Sequence, residues 1–206
     1  MPKASFAAVT SEPMLALRLL VLLAAMSSSF APRSPQTEHE PTLKPGQNSF
    51  AITADSMAPT LISGDRVASD ALYYRSHVPQ RGDLVILRVP RDKPMPEGVI
   101  SVQPMLVKRV VAVGGDVVSL RGRILSVNGK EVAEPYTRYE PAGAVVEDGD
   151  FGPTKVPANR YFVLGDNRNH SLDSRIFGAI DSDAIVGRPL YIYQSADRSR
   201  IGRAVR

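Results

Sequence analysis

The sequence predicts a mainly β domain that is preceded by an N-terminal apolar helix and a proline-rich linker. From about residue 48 onward, short runs rich in Val and Ile recur with turn signals between them, and helical periodicity is scarce. The 17 prolines and 15 glycines of the chain suit a loop-rich β domain. The apolar stretch occupies residues 14–31, and the linker follows at residues 32–47.

The composition excludes several classes of site. The chain has no cysteine, which rules out disulfides, a thiol nucleophile and a cysteine zinc site. Its three histidines show no metal-ligand spacing, so we expect no metal ion. The 206 residues are enough for one domain with a substantial core, and the net charge of +4 is mild.

After the short segment of residues 1–13, the stretch "MLALRLLVLLAAMSSSFA" at residues 14–31 allows three interpretations. Its uninterrupted apolar part, Leu19 to Met26, has the length of a signal-peptide core, and Ser29-Phe30-Ala31 has the small-x-small pattern of a cleavage site. A short membrane anchor with Arg18 reaching the headgroups is the second interpretation. A helix buried in a soluble domain is the third, and the four prolines of the linker argue against it. The first two interpretations place the rest of the chain outside the cytosol.

The β-rich domain is predicted over residues 48–197. Its segment "ILSVNGKEVA" predicts a hairpin, because Asn128-Gly129 suits the positive φ angles of a type I′ turn. Further strands are predicted in "GDLVILRV", "MLVKRVVAV", "RYFVLGD" and "RPLYIYQ". Residues 198–206 form a basic tail with four arginines, which we expect to be solvated. A basic tail can bind anionic lipid or nucleic acid. This tail has no aromatic residue and no known nucleic-acid-binding motif, so we expect no nucleic acid to bind.

The stretch "ADSMAPTLISGDRV" at residues 54–67 is too broken for a helix. Pro59 lacks a backbone donor, and Gly64-Asp65 predicts a turn. The segment is either a loop that presents Ser56 or a loop without a functional role.

The strand "MLVKRVVAV" places two basic residues among apolar ones. Alternate residues of a strand share a face, so Lys108 lies with Leu106, Val110 and Ala112, while Arg109 lies with valines at 107, 111 and 113. A buried Arg109 needs a carboxylate partner, because arginine keeps its proton. A buried Lys108 can lose its proton and become a general base. The alternative is an edge strand from which both side chains reach water.

The loop "GDNRNHSLDSRIFG" at residues 165–178 mixes carboxylates, arginines and hydroxyls. It offers partners for Arg109 if it is buried, although an ordinary exposed loop is equally polar. His170 within it allows a Ser-His-Asp triad in principle, but no Gly-x-Ser-x-Gly motif surrounds Ser56.

Three of these segments, "SMAPTLISGDRV", "KRVVAVGGD" and "GDNRNHSLDSRIFG", resemble in this order the main signatures of the bacterial type I signal peptidases. These are membrane-bound serine proteases that use a Ser-Lys dyad. The resemblance extends from about residue 50 to residue 187 and is loose between residues 128 and 159. It implies a catalytic domain of antiparallel β-sheets with an apolar surface that meets the membrane. It also implies a single-pass protein of the bacterial cytoplasmic membrane whose catalytic domain lies on the extracytoplasmic side.

The resemblance assigns roles to individual residues. Ser56 matches the nucleophile, and its backbone N–H matches an oxyanion donor. Lys108 matches the general base, and Ser171 matches a serine that hydrogen-bonds to this lysine and orients it. The other matches shape or support the site: Met57, Pro59, Thr60, Arg109, Asp166, Asp173 and Arg175, of which the charged residues match a salt-bridge network.

The resemblance also implies the reaction and its partners. Such enzymes remove signal peptides from exported preproteins after small residues at the −1 and −3 positions. Their partners are preprotein signal peptides and membrane lipid. The implied mechanism needs no metal and no cofactor, and an extended signal-peptide end is expected to add to a sheet edge as a strand.

The sequence departs from the family pattern at a few positions. Ala54 stands two residues before Ser56, where many relatives carry Ser or Gly, so no hydroxyl from this position joins the oxyanion hole. Asn169 and His170 replace residues that are more often Asp and Asn, and Ile176-Phe177 replaces a pair of larger aromatics. The oxyanion hole is therefore expected to depend on main-chain N–H groups, chiefly that of Ser56.

Two other functions are compatible with these motifs. One is another Ser-Lys processing peptidase, such as a conjugation-linked enzyme. A self-cleaving repressor also uses Ser and Lys, but it would need a DNA-binding domain and no export segment, and the sequence does not suit either condition. The other is a catalytically inactive exported β-domain that binds peptides. Cleavage of a preprotein by the wild type and by Lys108→Ala distinguishes an enzyme from a binding domain.

Overall fold

A computed structural model describes residues 42–89, 105–140 and 150–206. The apolar helix predicted over residues 14–31, the segment before it and most of the linker lie outside these ranges, and their predicted boundaries stay predictions. Among the described residues, no helix is long and apolar enough to span a membrane.

Strands dominate the described part of the chain, and its two α-helices have four residues each. In chain order the elements are β1 (Asn48–Ala51), β2 (Arg66–Asp70), α1 (Tyr73–Ser76), β3 (Leu84–Arg88), β4 (Met105–Val113), β5 (Val117–Arg121), β6 (Ile124–Val127), β7 (Lys130–Glu131), β8 (Phe151–Lys155), β9 (Arg160–Leu164), α2 (Ser174–Phe177), β10 (Ile180–Asp181) and β11 (Ile185–Gln194).

The strands form two antiparallel sheets. The larger has the order β1-β2-β11-β3-β4-β9-β10, and the smaller has the order β7-β6-β5-β8. Strand β11 joins the halves of the larger sheet, because its first residues pair with β3 and the remainder pairs with β2 across register shifts. The prediction of a mainly β, antiparallel fold is confirmed.

Strand β4 lies inside the larger sheet, between β3 and β9. Lys108 is 1% exposed and Arg109 is 2% exposed. The alternative of an edge strand whose basic side chains reach water is therefore wrong. Leu106 and Val110 pack in one apolar cluster, as expected for neighbours of Lys108 on one face, but Ala112 packs in another. A register shift between Val110 and Ala112 interrupts the alternation.

The predicted hairpin is present as β6 and β7. Asn128 has φ 53° and Gly129 has φ 75°, the left-handed region that a type I′ turn requires. The Asn128 side chain accepts a hydrogen bond from the Val117 N–H at 2.9 Å, which ties the turn to the neighbouring strand. Local sequence therefore determines this element.

The basic tail differs from its expectation. Its Val205 is buried, and the Val205 N–H donates to Leu190 O at 2.9 Å. Ala204 pairs with Tyr191 in an antiparallel bridge. Arg200 is also buried, where it pairs with Asp65 at 2.7 Å. The prediction of a solvated tail is correct for Arg198, Arg203 and Arg206, which are exposed. It is wrong for Arg200 and Val205, because the segment folds back along β11 and supplies apolar surface and a buried cation.

Candidate active site

The loop between β1 and β2 carries Ser56, and apolar side chains of this loop are buried in the core. Met57 and Leu61 are buried in an apolar cluster that includes Val107 of β4. The Leu61 N–H donates to Met57 O at 2.9 Å, which closes one turn of the chain. Ser56 is half-buried. Ile52, which precedes Ser56, belongs to the same cluster. The core thus fixes the loop on both sides of a serine that remains accessible.

Lys108 reaches this loop from β4. Its Nζ donates a hydrogen bond to Ser56 Oγ at 2.6 Å. Fifty-two positions separate the two residues in the chain, and the packing of the loop against β4 brings them together. A serine hydroxyl in direct contact with a buried amine is the arrangement that a nucleophile and its base require.

Burial lowers the pKa of Lys108 from its ordinary value to about 8, because desolvation disfavours the ammonium form. The charges of Asp173 and Asp166 oppose this shift, and the charge of Arg175 adds to it. Roughly one lysine in ten is then neutral at pH 7, against about four in ten thousand for an ordinary lysine. The environment therefore makes this amine a usable base at neutral pH.

Arg109 lies next to the dyad and forms a forked ion pair. Its Nε donates to Asp166 Oδ1 at 2.8 Å, and its Nη2 donates to Asp166 Oδ2 at 2.7 Å. Thr60 Oγ1 donates to Asp166 Oδ2 at 2.5 Å. The guanidinium also lies 3.8 Å from the ring centre of Tyr136. The carboxylate partner expected for Arg109 is present, and it also holds the loop after Ser56.

A second ion pair lies within the loop of residues 165–178, called the polar loop below. Arg175 Nε donates to Asp173 Oδ1 at 2.8 Å, and Asp173 Oδ2 accepts the Gly165 N–H at 3.0 Å. Asp173 is fully buried, and the Arg175 side chain is 4% exposed. The loop is thus a buried hydrogen-bonded structure rather than an exposed one.

Ser171 is fully buried, and its Oγ makes no hydrogen bond to any described residue. The neighbouring Gly165 is tightly enclosed: a Cβ there would meet the Ser171 side chain and lie 2.5 Å from Ser56 O. Only a glycine fits at position 165, between the polar loop and the loop that carries Ser56. The hydrogen bond between Ser171 and Lys108 that the resemblance implies is therefore not present. A role of Ser171 in orienting Lys108 by contact stays a prediction.

His170 belongs to the same polar loop and is half-buried. Its Nε2 is 3.6 Å from Glu140 Oε2. The basic group that bonds Ser56 Oγ is Lys108. The geometry therefore supports a Ser-Lys dyad rather than a triad built on His170.

Three further buried side chains around the site, Asn167, Arg168 and Arg200, are not among the site residues predicted from the sequence. Asn167 contacts the main chain beside Ser56. Arg168 pairs with Glu134 at 2.5 Å, and Arg200 pairs with Asp65. Each lies in a polar or basic stretch whose composition also fits an exposed segment, so only their burial distinguishes them.

A cleft opens beside Ser56 between the end of β1 and the start of β4. Its lining is mostly apolar and includes Phe50, Ile52, Ala54, Met57, Met105 and Val107. The cleft can accept a short apolar side chain next to the serine hydroxyl.

Comparisons with known proteins identify the family of this chain. The family model described as signal peptidase, peptidase S26, matches residues 14–194. Signal peptidase I T of Bacillus subtilis (strain 168) is 37% identical over 150 residues, which cover 70% of this chain and 72% of that protein. Signal peptidase I of Leptolyngbya laminosa is 32% identical over 147 residues, 71% of this chain and 68% of that protein.

A crystal structure of a signal peptidase I from Enterococcus faecalis V583 aligns with 54% of this chain and 97% of that chain, at 28% identity and a TM-score of 0.42. The family model spans most of the chain, and the relatives of known name share about a third of its residues over a common length. The chain therefore belongs to the signal peptidases of family S26, which are serine endopeptidases.

Proposed function

We propose that this signal peptidase removes N-terminal signal peptides from exported preproteins, with Ser56 as nucleophile and Lys108 as general base. The single observation that carries the proposal is the 2.6 Å hydrogen bond between Lys108 Nζ and Ser56 Oγ, made by a lysine that is 1% exposed. Membership of the family supplies the class of substrate.

The chemistry follows from the dyad. Neutral Lys108 takes the hydroxyl proton as Ser56 Oγ attacks the scissile carbonyl carbon. The Ser56 N–H donates to the oxygen on which negative charge develops. The Lys108 ammonium then protonates the leaving amine, and water, deprotonated by the same lysine, hydrolyses the acyl-enzyme. No step requires a group outside the chain other than water.

The ion pairs support the dyad without taking part in the proton transfer. Asp166 bonds both Arg109 and Thr60, so it connects β4 to the loop that follows Ser56. Asp173 holds the Gly165 N–H and pairs with Arg175. We propose that Ser171 completes this support by limiting the positions of the Lys108 side chain.

The cleft suits the small residues at −1 and −3. It is bordered by Ala54 and by buried apolar side chains such as Met57 and Ile52, which limit its depth. We propose that the extended end of the signal peptide lies along this cleft, with the −1 side chain beside Ser56.

We further propose that the protein acts at the bacterial cytoplasmic membrane. Residues 14–31 serve as a retained single-pass anchor, and the β domain faces membrane lipid on the extracytoplasmic side. Membrane fractionation combined with N-terminal sequencing of the mature protein tests this arrangement. A mature chain beginning at Pro32 would contradict the anchor and leave the dyad unaffected.

The reaction is tested by cleavage of a purified preprotein whose signal peptide ends in Ala-x-Ala. We expect Ser56→Ala and Lys108→Ala to lose cleavage while keeping the wild-type circular dichroism spectrum. His170→Ala is the matched control and is expected to keep most of its activity. An inactive His170→Ala together with an active Lys108→Ala would overturn the dyad.

A further inference from the structure

Asn167 is fully buried beside Ser56, although it belongs to neither the dyad nor the two ion pairs of the site. Its main-chain N–H donates to Ser56 O at 3.1 Å. Its side-chain Nδ2 donates to Asp55 O at 3.1 Å. The carbonyl group of Asp55 and that of Ser56 itself therefore both accept a hydrogen bond from Asn167.

The carbonyl of Asp55 belongs to the peptide group that carries the Ser56 N–H. Because a trans peptide is planar, its N–H points opposite to its C=O, and a donor that fixes the carbonyl also fixes the N–H direction. Asp55 O also accepts the Ala58 N–H at 3.0 Å, so two donors hold the plane. Hydrogen bonds to the carbonyl polarise the peptide and strengthen its N–H as a donor.

The neighbours of the Asn167 amide determine which way it points. Nδ2 also donates to Glu140 Oε1 at 3.2 Å, so both groups that it meets are acceptors. In this orientation Oδ1 is buried without a hydrogen-bond partner. A buried unpaired acceptor is unfavourable. The reverse orientation would be worse, since it would place Oδ1 against the oxygens of Asp55 and Glu140.

This peptide matters more here because residue 54 is alanine and supplies no hydroxyl to the oxyanion. We propose that Asn167 is a positioning residue for the oxyanion hole: its amide orients and polarises the Asp55–Ser56 peptide, so that the Ser56 N–H meets the developing oxyanion. The inference rests on the proposed function, in which that N–H is the chief donor.

Asn169 provides a matched control in the same loop. It is also buried, and its amide likewise bonds main-chain groups, since it accepts the Glu140 N–H at 2.8 Å and donates to Glu140 O. These bonds go to Glu140 and not to Asp55 or Ser56. Asn167→Ala and Asn169→Ala therefore remove the same group from the same loop, and only the first alters the nucleophile peptide. Asn167→Asp keeps the shape of the side chain and replaces its donor by an acceptor.

The experiment compares two peptides that end in Ala-x-Ala, one as the aldehyde and one as the alcohol. Ser56 Oγ forms a bond to the aldehyde carbon, and the hydroxyl proton passes through Lys108 to the former aldehyde oxygen, which occupies the oxyanion hole. The alcohol occupies the cleft without forming this bond. We expect the Asn167 variants to lose kcat and aldehyde affinity by the same factor, about tenfold or more. Alcohol affinity and the pH midpoint of kcat should stay at wild-type values.

Three results would overturn the inference: an unchanged kcat in a folded Asn167 variant, an equal loss of alcohol affinity, or an equal loss of kcat in Asn169→Ala. The proposed function is judged separately by Ser56→Ala and Lys108→Ala. If those variants are inactive while Asn167→Ala has full activity, only the role of Asn167 is wrong.

Discussion

Burial of Lys108 serves the base role proposed for it and also imposes a cost on stability. The side chain is buried, and its strand β4 lies inside the larger sheet. Burial there brings the pKa of Lys108 to about 8. A group with this pKa changes its charge close to physiological pH, which has consequences for both rate and stability.

If Lys108 is the base as proposed, the rate of acylation should rise with pH through a midpoint near 8, because only a neutral amine can accept a proton. Lys108→Arg should be inactive across this range, since arginine keeps its proton. The measurement is the pH profile of single-turnover cleavage of an Ala-x-Ala peptide. A rising limb with a midpoint near 6.5, or an active Lys108→Arg, would assign the base to a histidine.

Lys108→Met should increase the free energy of unfolding at pH 7 by up to about 3 kcal/mol. The folded pKa of about 8 lies below the ordinary value of 10.5, so below pH 8 the folded state carries a charge that it disfavours. Between pH 8 and 10.5 the unfolded chain binds the extra proton, so wild-type stability rises and the advantage of the variant disappears.

Urea unfolding of both proteins at pH 7 and at pH 10 measures this difference. Ser56→Ala is a suitable control, because it removes one partner of the dyad and leaves the lysine buried. A Lys108→Met protein that is less stable than the wild type at pH 7 would show that the lysine contributes more through its contacts than it costs through desolvation.

At the scale of elements, the segment after β11 contacts the loop that carries Ser56. Arg200 pairs with Asp65, and its Nη2 also donates to Thr60 O at 3.0 Å. Its Nη1 donates to Pro59 O at 3.3 Å. Burial alone would raise the pKa of Asp65, but the hydrogen bonds from Arg200 and the Ile62 N–H hold it below its ordinary value. The C-terminal segment therefore stabilises the loop that follows Ser56.

Arg200→Met should lower the free energy of unfolding by about 3 to 5 kcal/mol, because it leaves the Asp65 carboxylate buried without its partner. Arg203→Met is the matched control, since Arg203 lies in the same segment and makes an exposed bond to Ser199 O. We expect a loss below about 0.5 kcal/mol for the control. Equal losses in the two variants by thermal or urea unfolding would contradict the specific role of Arg200.

At the scale of the whole molecule, buried carboxylates determine the behaviour in acid. The pKa of Asp116 is also lowered: burial raises it, but the hydrogen bonds from Arg81, the Val113 N–H and Asn128 outweigh that effect. Asp116 lies between β4 and β5, where the chain leaves the larger sheet for the smaller, and Asp65 immediately precedes β2. The two groups therefore link acid stability to different parts of the domain.

We expect stability to be constant between about pH 5 and pH 7 and to fall as the pH drops below about 4. A carboxyl whose folded pKa is lowered stabilises the fold above its unfolded pKa of about 3.9, and this stabilisation is lost as the pH falls through the folded value. Asp116→Asn should flatten this acid limb and lower the stability at pH 7. Urea unfolding from pH 2 to pH 7 provides the test, and an unchanged acid limb would show that other carboxylates dominate.

The sequence by itself determined the β character, the hairpin at Asn128-Gly129 and the segments that hold Ser56, Lys108 and the polar loop. These features depend on local patterns, namely alternation, turn residues and short motifs. The tertiary structure decided that β4 is an interior strand, that the basic tail is packed against the domain, and that Asn167 and Arg200 reach the loop of Ser56. Exposed and buried polar segments have the same composition, and only packing between residues distant in the chain removes water from one of them and leaves it around the other.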